Sequence, residues 1–116
     1  MTSVDAPVFT LDVTGKTYSS ALEYGEALSG EVYEGHDVSA LDGDAHEFLL
    51  RVMPDGSLDR ETKLGLVARV AEGMVSAVAD NAPGGTLNPE EQSLTIKYST
   101  LYASALMGLA EIAENK

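Results

Sequence analysis

Apolar and polar positions alternate along residues 7–13, PVFTLDV. Phe9, Leu11 and Val13 fall on one side, Val8, Thr10 and Asp12 on the other. A period of two is that of a half-buried strand. Thr14-Gly15-Lys16 has the composition of a turn in which Gly15 can take positive φ, and Thr17-Tyr18-Ser19 can return as a second strand. The pattern predicts a β-hairpin. A short helix is expected next, over SSALEYGEALSG. Ser19 or Ser20 can cap it, Glu23 follows Ser20 by three residues, Ala21, Leu22 and Leu28 give it an apolar side, and Gly30 can stop it. Residues 31–53 read as extended: a strand around Val32 and Tyr33, a turn at Leu41-Asp42-Gly43-Asp44, and a strand over His46–Met53. Pro54-Asp55-Gly56 then breaks the chain.

The second half changes period. Leu64, Val67, Val70, Ala71, Met74, Val75 and Val78 recur at spacings of three and four, predicting a helix from a cap at Ser57 or Asp59 to about Asn81. Asn88-Pro89-Glu90-Glu91 opens another: Asn88 is the N-cap, Pro89 takes the first helical position, and both glutamates face the positive end of the helix dipole. Its stripe is Leu94, Tyr98, Leu101, Tyr102, Ala105, Leu109, Ile112 and Ala113, and it should reach Glu114. The fold class expected is therefore α+β in one domain over residues 1–116. An extended or mixed part covers 7–53, and an antiparallel hairpin of two long helices covers 57–116.

Helices of this length run about 35 to 39 Å. A chain of 116 residues cannot cover both faces of two such helices, so some apolar surface is expected to meet a neighbouring subunit. Leu94, Tyr98, Leu101, Tyr102 and Leu109 are the candidate interface residues, since tyrosine joins apolar area to a hydroxyl that seeks a partner. The same stripe also suits the core of the chain itself. Gly65, Gly73 and Gly108 each cost about 1 kcal/mol relative to alanine inside a helix. Two readings account for them equally: tolerated drift, or close approach of neighbouring helices shared with Ala77, Ala103 and Ala105.

Charge narrows the function classes. The chain carries 19 acidic and 7 basic residues, a net charge of −12. The first fifty residues hold ten acids against Lys16 alone. Such a surface repels nucleic acid and anionic membranes. Three settings account for it: salt adaptation, where molar salt shortens the Debye length to roughly 3 Å and suppresses self-repulsion; an ordinary acidic cytosolic protein; and a nucleic-acid mimic that occupies a basic groove. The absence of cysteine removes disulfides and thiolate chemistry. No apolar run reaches the roughly 18 residues of a membrane helix. Met1–Asp5 has neither a basic nor an apolar character, so no secretory signal is expected, and the chain is placed in the cytoplasm or inside a virus particle.

Enzyme motifs are fragmentary. Gly15-Lys16-Thr17 matches the end of a phosphate-binding loop, but the first glycine of that motif falls on Thr10 and the lysine leads into a strand rather than a helix. His36, Asp37, Asp42, Asp44, His46 and Glu47 gather metal-ligand types at no standard spacing; neither the helical His-Glu pattern of zinc enzymes nor a calcium loop fits. Residues 54–59, PDGSLD, are a turn leading to a helix cap. No nucleophile elbow occurs. No catalytic, cofactor or metal residue is expected. The expectation is a small non-enzymatic structural or assembly protein, a subunit among copies of itself or other proteins. A halophilic source and a virion neck, tail or capsid-accessory role are the class-level reading. The alternative is an acidic regulatory module or DNA mimic that captures a basic protein.

Overall fold

The computed structural model describes residues 8–116. Pro7, where the expected first strand begins, and Met1–Asp5 lie outside that range. The chain is α+β: a two-stranded antiparallel hairpin, two helices, and a C-terminal helical hairpin. β1 (Phe9–Leu11) pairs with β2 (Lys16–Tyr18) in the register Phe9–Tyr18, Thr10–Thr17, Leu11–Lys16. The alternation holds: Phe9 and Leu11 are buried and Thr10 is exposed. Gly15 turns the chain at φ 74°, a conformation side chains resist, and its N–H donates to the Leu11 carbonyl at 2.7 Å.

Four helices follow. α1 (Ala21–Glu31) is capped by Ser20, whose Oγ accepts from the Glu23 N–H at 3.1 Å. α2 (Val38–Val52) is capped by Asp37. α3 (Arg60–Asp80) is capped by Asp59, which accepts from the Thr62 N–H at 2.7 Å, while the Ser57 hydroxyl turns to Asp55. α4 (Pro89–Glu114) opens with a reciprocal box: Asn88 Oδ1 accepts from the Glu91 N–H at 2.8 Å, and Glu91 Oε1 accepts from the Asn88 N–H at 2.9 Å.

Residues 31–53 overturn the extended reading. Val32 and Tyr33 do not form a strand; they follow the last turn of α1, and Val32 is buried. Leu41-Asp42-Gly43-Asp44 is not a turn, and His46–Met53 is not a strand. Both belong to α2 and its C-cap. Leu41, Ala45, Phe48 and Val52 recur at helical spacing and are all fully buried. Their burial outweighs the roughly 1 kcal/mol that Gly43 costs inside a helix. The aspartates, which favour turns by bonding their own backbone, instead find distant partners here.

Asp44 is the clearest case. It is only 2% exposed, and its carboxyl oxygens accept the backbone N–H groups of Asp12 and Val13 at 2.9 and 3.1 Å. Seven residues on, and so on the same face of α2, the Arg51 guanidinium donates to the Val8 carbonyl at 2.7 Å and lies 4.1 Å from the Phe9 ring centroid. An acid and a base two helical turns apart thus hold the two ends of the first strand and turn. Between them Phe9 stacks on Tyr24 with centroids 5.1 Å apart, and Tyr24 meets Phe48 in a tilted contact at 6.3 Å.

α3 is the element the others wrap. Leu66, Val70, Gly73 and Ala77 are buried, and so are Val67, Ala71, Met74 and Val78. α1 and α2 pack on it, and α4 packs along it. A Cβ on Gly73 would overlap the Val32 side chain, and one on Gly108 would stand 2.7 Å from Leu64 Cδ1. Both glycines therefore serve close approach. Gly65 has nothing within 4 Å and serves no such contact.

Asp44→Ala leaves two hairpin N–H groups without their acceptor. It should lower unfolding free energy by about 2–4 kcal/mol, measured by chemical denaturation, and Asp44→Asn, which keeps one carbonyl oxygen, by about half as much.

Candidate functional site

The sequence-selected acidic loop does not converge. His36 Nε2 meets Glu31 Oε1 at 2.7 Å. Asp37 caps α2, Asp44 holds the hairpin, and His46 and Glu47 are exposed. Asp42 turns to α4, where it accepts from the Tyr98 hydroxyl at 2.5 Å and from Lys97 Nζ at 3.2 Å. Among the described residues no three His, Cys, Asp or Glu side chains come together as a metal site. Gly15-Lys16-Thr17 forms the hairpin tip and the start of β2, so the lysine opens a strand and not a helix; α1 begins only at Ala21. No helix among the described residues is long and apolar enough to cross a membrane.

The five candidate interface residues lie on the side of α4 that faces the rest of the chain. Tyr98 is fully buried, so it has no surface left for a neighbour. Leu94, Leu101 and Tyr102 are half-buried against the core, and Leu109 is also half-buried. With Ala105 and Gly108, which are buried, they build the seam against α3. Spacings of four and three from Leu94 through Tyr98, Leu101, Ala105 and Gly108 to Ile112 give the narrow stripe of a coiled-coil seam. Ala103, also a candidate for close helix approach, is exposed.

The polar edges of this seam are specific. The Tyr98 hydroxyl, buried at its inner end, reaches Asp42 on α2. Glu72 of α3 accepts from the Tyr33 hydroxyl at 3.3 Å, and its carboxylate holds the Tyr102 hydroxyl above its ordinary pKa. Burial, then the hydrogen bond to Asp42 and that residue's charge, push the Tyr98 hydroxyl well above its ordinary pKa. Burial, with the charges of Asp44 and Glu47, lifts Tyr24 from 10.0 to about 12.

The opposite face of α4 is uncovered. Ile96 is 68% exposed, Met107 67% and Leu106 43%, while Ser99, Thr100, Ala103 and Ala110 are exposed between them. Ile96, Ala103, Met107 and Ala110 are again spaced by seven, four and three, so α4 carries two apolar stripes on opposite sides. No charged side chain occurs from residue 98 to residue 110, in a chain whose net charge is −12. Sequence reading missed this second stripe because small residues make up most of it, and Ser and Thr dilute its hydropathy. The signal available was the gap in charge.

A shallow apolar groove of about 190 Å3 borders this helix between Leu49 and Met53 of α2, Leu64 and Val67 of α3, and Leu101 and Ser104 of α4. The concavity between the N-termini of α2 and α4 is instead lined by Asp37, Ser39, Asn88, Glu90 and Glu91. Comparison with protein-family models, with characterised proteins and with solved structures returned no match.

The buried tyrosines set a sign for alkaline behaviour. The folded chain keeps the Tyr24 and Tyr98 protons where the unfolded chain releases them. Stability should therefore be insensitive to these groups below pH about 10 and fall between about 10 and about 12, because rising pH favours the state that has lost its protons. Chemical denaturation across that range checks it. Tyr98→Phe should flatten part of the decline and cost about 1 kcal/mol at neutral pH through the lost hydroxyl–Asp42 bond.

Proposed function

We propose that the protein is a non-enzymatic assembly subunit that binds protein partners through α4. The observation that carries this reading is the outer stripe of that helix: Leu106 and Met107 exposed on the charge-free stretch 98–110 of an otherwise acidic chain, with exposed Ile96 just before it. Scattered exposed apolar residues are ordinary, but an aligned set along a helix is how one helix presents itself to another. The acidic remainder, with Glu23, Glu26, Glu34 and Glu47 all exposed, keeps copies apart except where the charge is missing. Molar salt screens the self-repulsion that this surface creates, which supports a halophilic setting. A virion neck, tail or capsid-accessory protein is the proposed class within it, on analogy of size and simplicity.

The second reading, an acidic module that captures a basic partner, is favoured by the ten acids of the first fifty residues. The two readings respond oppositely to salt. Apolar contact between acidic subunits strengthens as salt rises, while capture of a basic partner weakens.

Gel filtration of a source-cell extract in molar salt, with the chain detected by antibody, tests the assembly reading. Elution well above the mass of one chain is expected, with a shift toward one chain on dilution to about 0.1 M salt. Elution as a single chain in molar salt overturns it. A complex present only in low salt favours the acidic-module reading instead.

A further inference from the structure

We infer that the occupant of the outer α4 face is the α4 of a second copy of this chain, packed antiparallel with Ala103 at the two-fold axis. The inference rests on the assembly reading above and names the partner.

Charge favours a second copy. A basic partner finds nothing to hold on residues 98–110, which carry no charge, and is drawn instead to the acidic surface elsewhere. The second copy brings the same neutral strip. This strip is also where two chains of charge −12 approach with least repulsion, since the α4 acids are confined to its ends at Glu90, Glu91, Glu111 and Glu114.

Shape fixes the direction. A two-fold axis at Ala103 sets Ile96 against the partner's Ala110, Met107 against the partner's Ser99, and Leu106 against the partner's Thr100. Each large side chain then meets a small one, and the central alanines let the helices approach closely. Parallel packing sets Ile96 on the partner's Ile96 and Met107 on the partner's Met107, and leaves gaps at Ser99, Thr100 and Ala103. Antiparallel packing also places each helix N-terminus beside the other's C-terminus, which opposes the two dipoles favourably.

The contact is modest. One face of a 26-residue helix, about 39 Å long and about 10 Å wide, has a footprint of about 400 Å2, below the roughly 800 Å2 per partner of a standard interface. Two copies joined by α4 alone exchange with monomer, so covalent trapping is the suitable assay.

The chain contains no cysteine, so single introduced cysteines report without background. Ala103→Cys, Ile96→Cys and Ala110→Cys alter exposed positions, and Glu26→Cys on exposed α1 surface is the control. Circular dichroism verifies that each variant folds. In molar salt under mild oxidation, Ala103→Cys should form disulfide dimer at least about tenfold faster than Glu26→Cys. Ile96→Cys mixed with Ala110→Cys should give the mixed dimer in preference to either homodimer. Ala103→Cys no faster than the control overturns the inference. Preferred Ile96→Cys homodimer overturns its antiparallel direction. A large complex in the extract without Ala103→Cys cross-linking leaves the assembly reading standing and removes this partner.

Discussion

α3 is the helix the other elements pack on: Leu66, Val70, Ala71 and Met74 are buried beneath them, while Arg69 and Glu72 stay in solvent. Its two faces take α1 and α2 on one side and α4 on the other, and its buried side chains supply much of the common core. The molecule is 19 Å through its thinnest direction, about the thickness of two packed helices. Nothing else in the described chain lies beyond α4. The cost of covering α3 is therefore a last helix packed chiefly on one neighbour, with α2 reaching only its edge. Any apolar residue on the far side of α4 stays in solvent unless another molecule covers it.

α2 makes that arrangement specific. Asp42 and Asp44, two residues apart, point to different partners: one receives the Tyr98 hydroxyl and Lys97 of α4, the other the backbone of the turn after β1. Arg51 finishes the grip on the first strand. The hairpin has too few strands to stand alone in water. It is ordered by α2, through Asp44 and Arg51, and by the aromatic series that includes Tyr24. The buried tyrosine and the acids around it tie the alkaline limit of stability to these same contacts.

The helices with strong local signals were legible in the sequence. Asn88-Pro89-Glu90-Glu91 names its own cap, Ser20 with Glu23 does the same, and Phe9 and Leu11 alternate as a strand must, although Val13, read into the same strand, lies in the turn. α2 was not legible by composition, because Asp42, Gly43 and Asp44 carry turn chemistry. The burial of Leu41, Ala45, Phe48 and Val52, with distant donors on the hairpin and α4 for the two aspartates, explains why helix wins there. The face of α4 was half legible. That two long helices exceed what the chain can cover follows from length alone. Which stripe is left over does not, since Tyr98 and Leu101 look as suited to an interface as Ile96 and Met107. The structure sends the tyrosine stripe inward to α3, where it builds the seam, and leaves the stripe of smaller residues outside.

The outer stripe of α4 is proposed as a contact surface between copies, masked at low ionic strength by like charge. Sedimentation equilibrium over a concentration series in about 2 M sodium chloride tests it most directly, comparing the native chain with Met107→Glu. A monomer–dimer equilibrium is expected for the native chain, weakening in about 0.1 M salt, with monomer throughout for Met107→Glu and an unchanged unfolding transition. A native chain that stays monomeric at millimolar concentration in high salt, or a Met107→Glu variant that dimerises as well as the native chain, would contradict it.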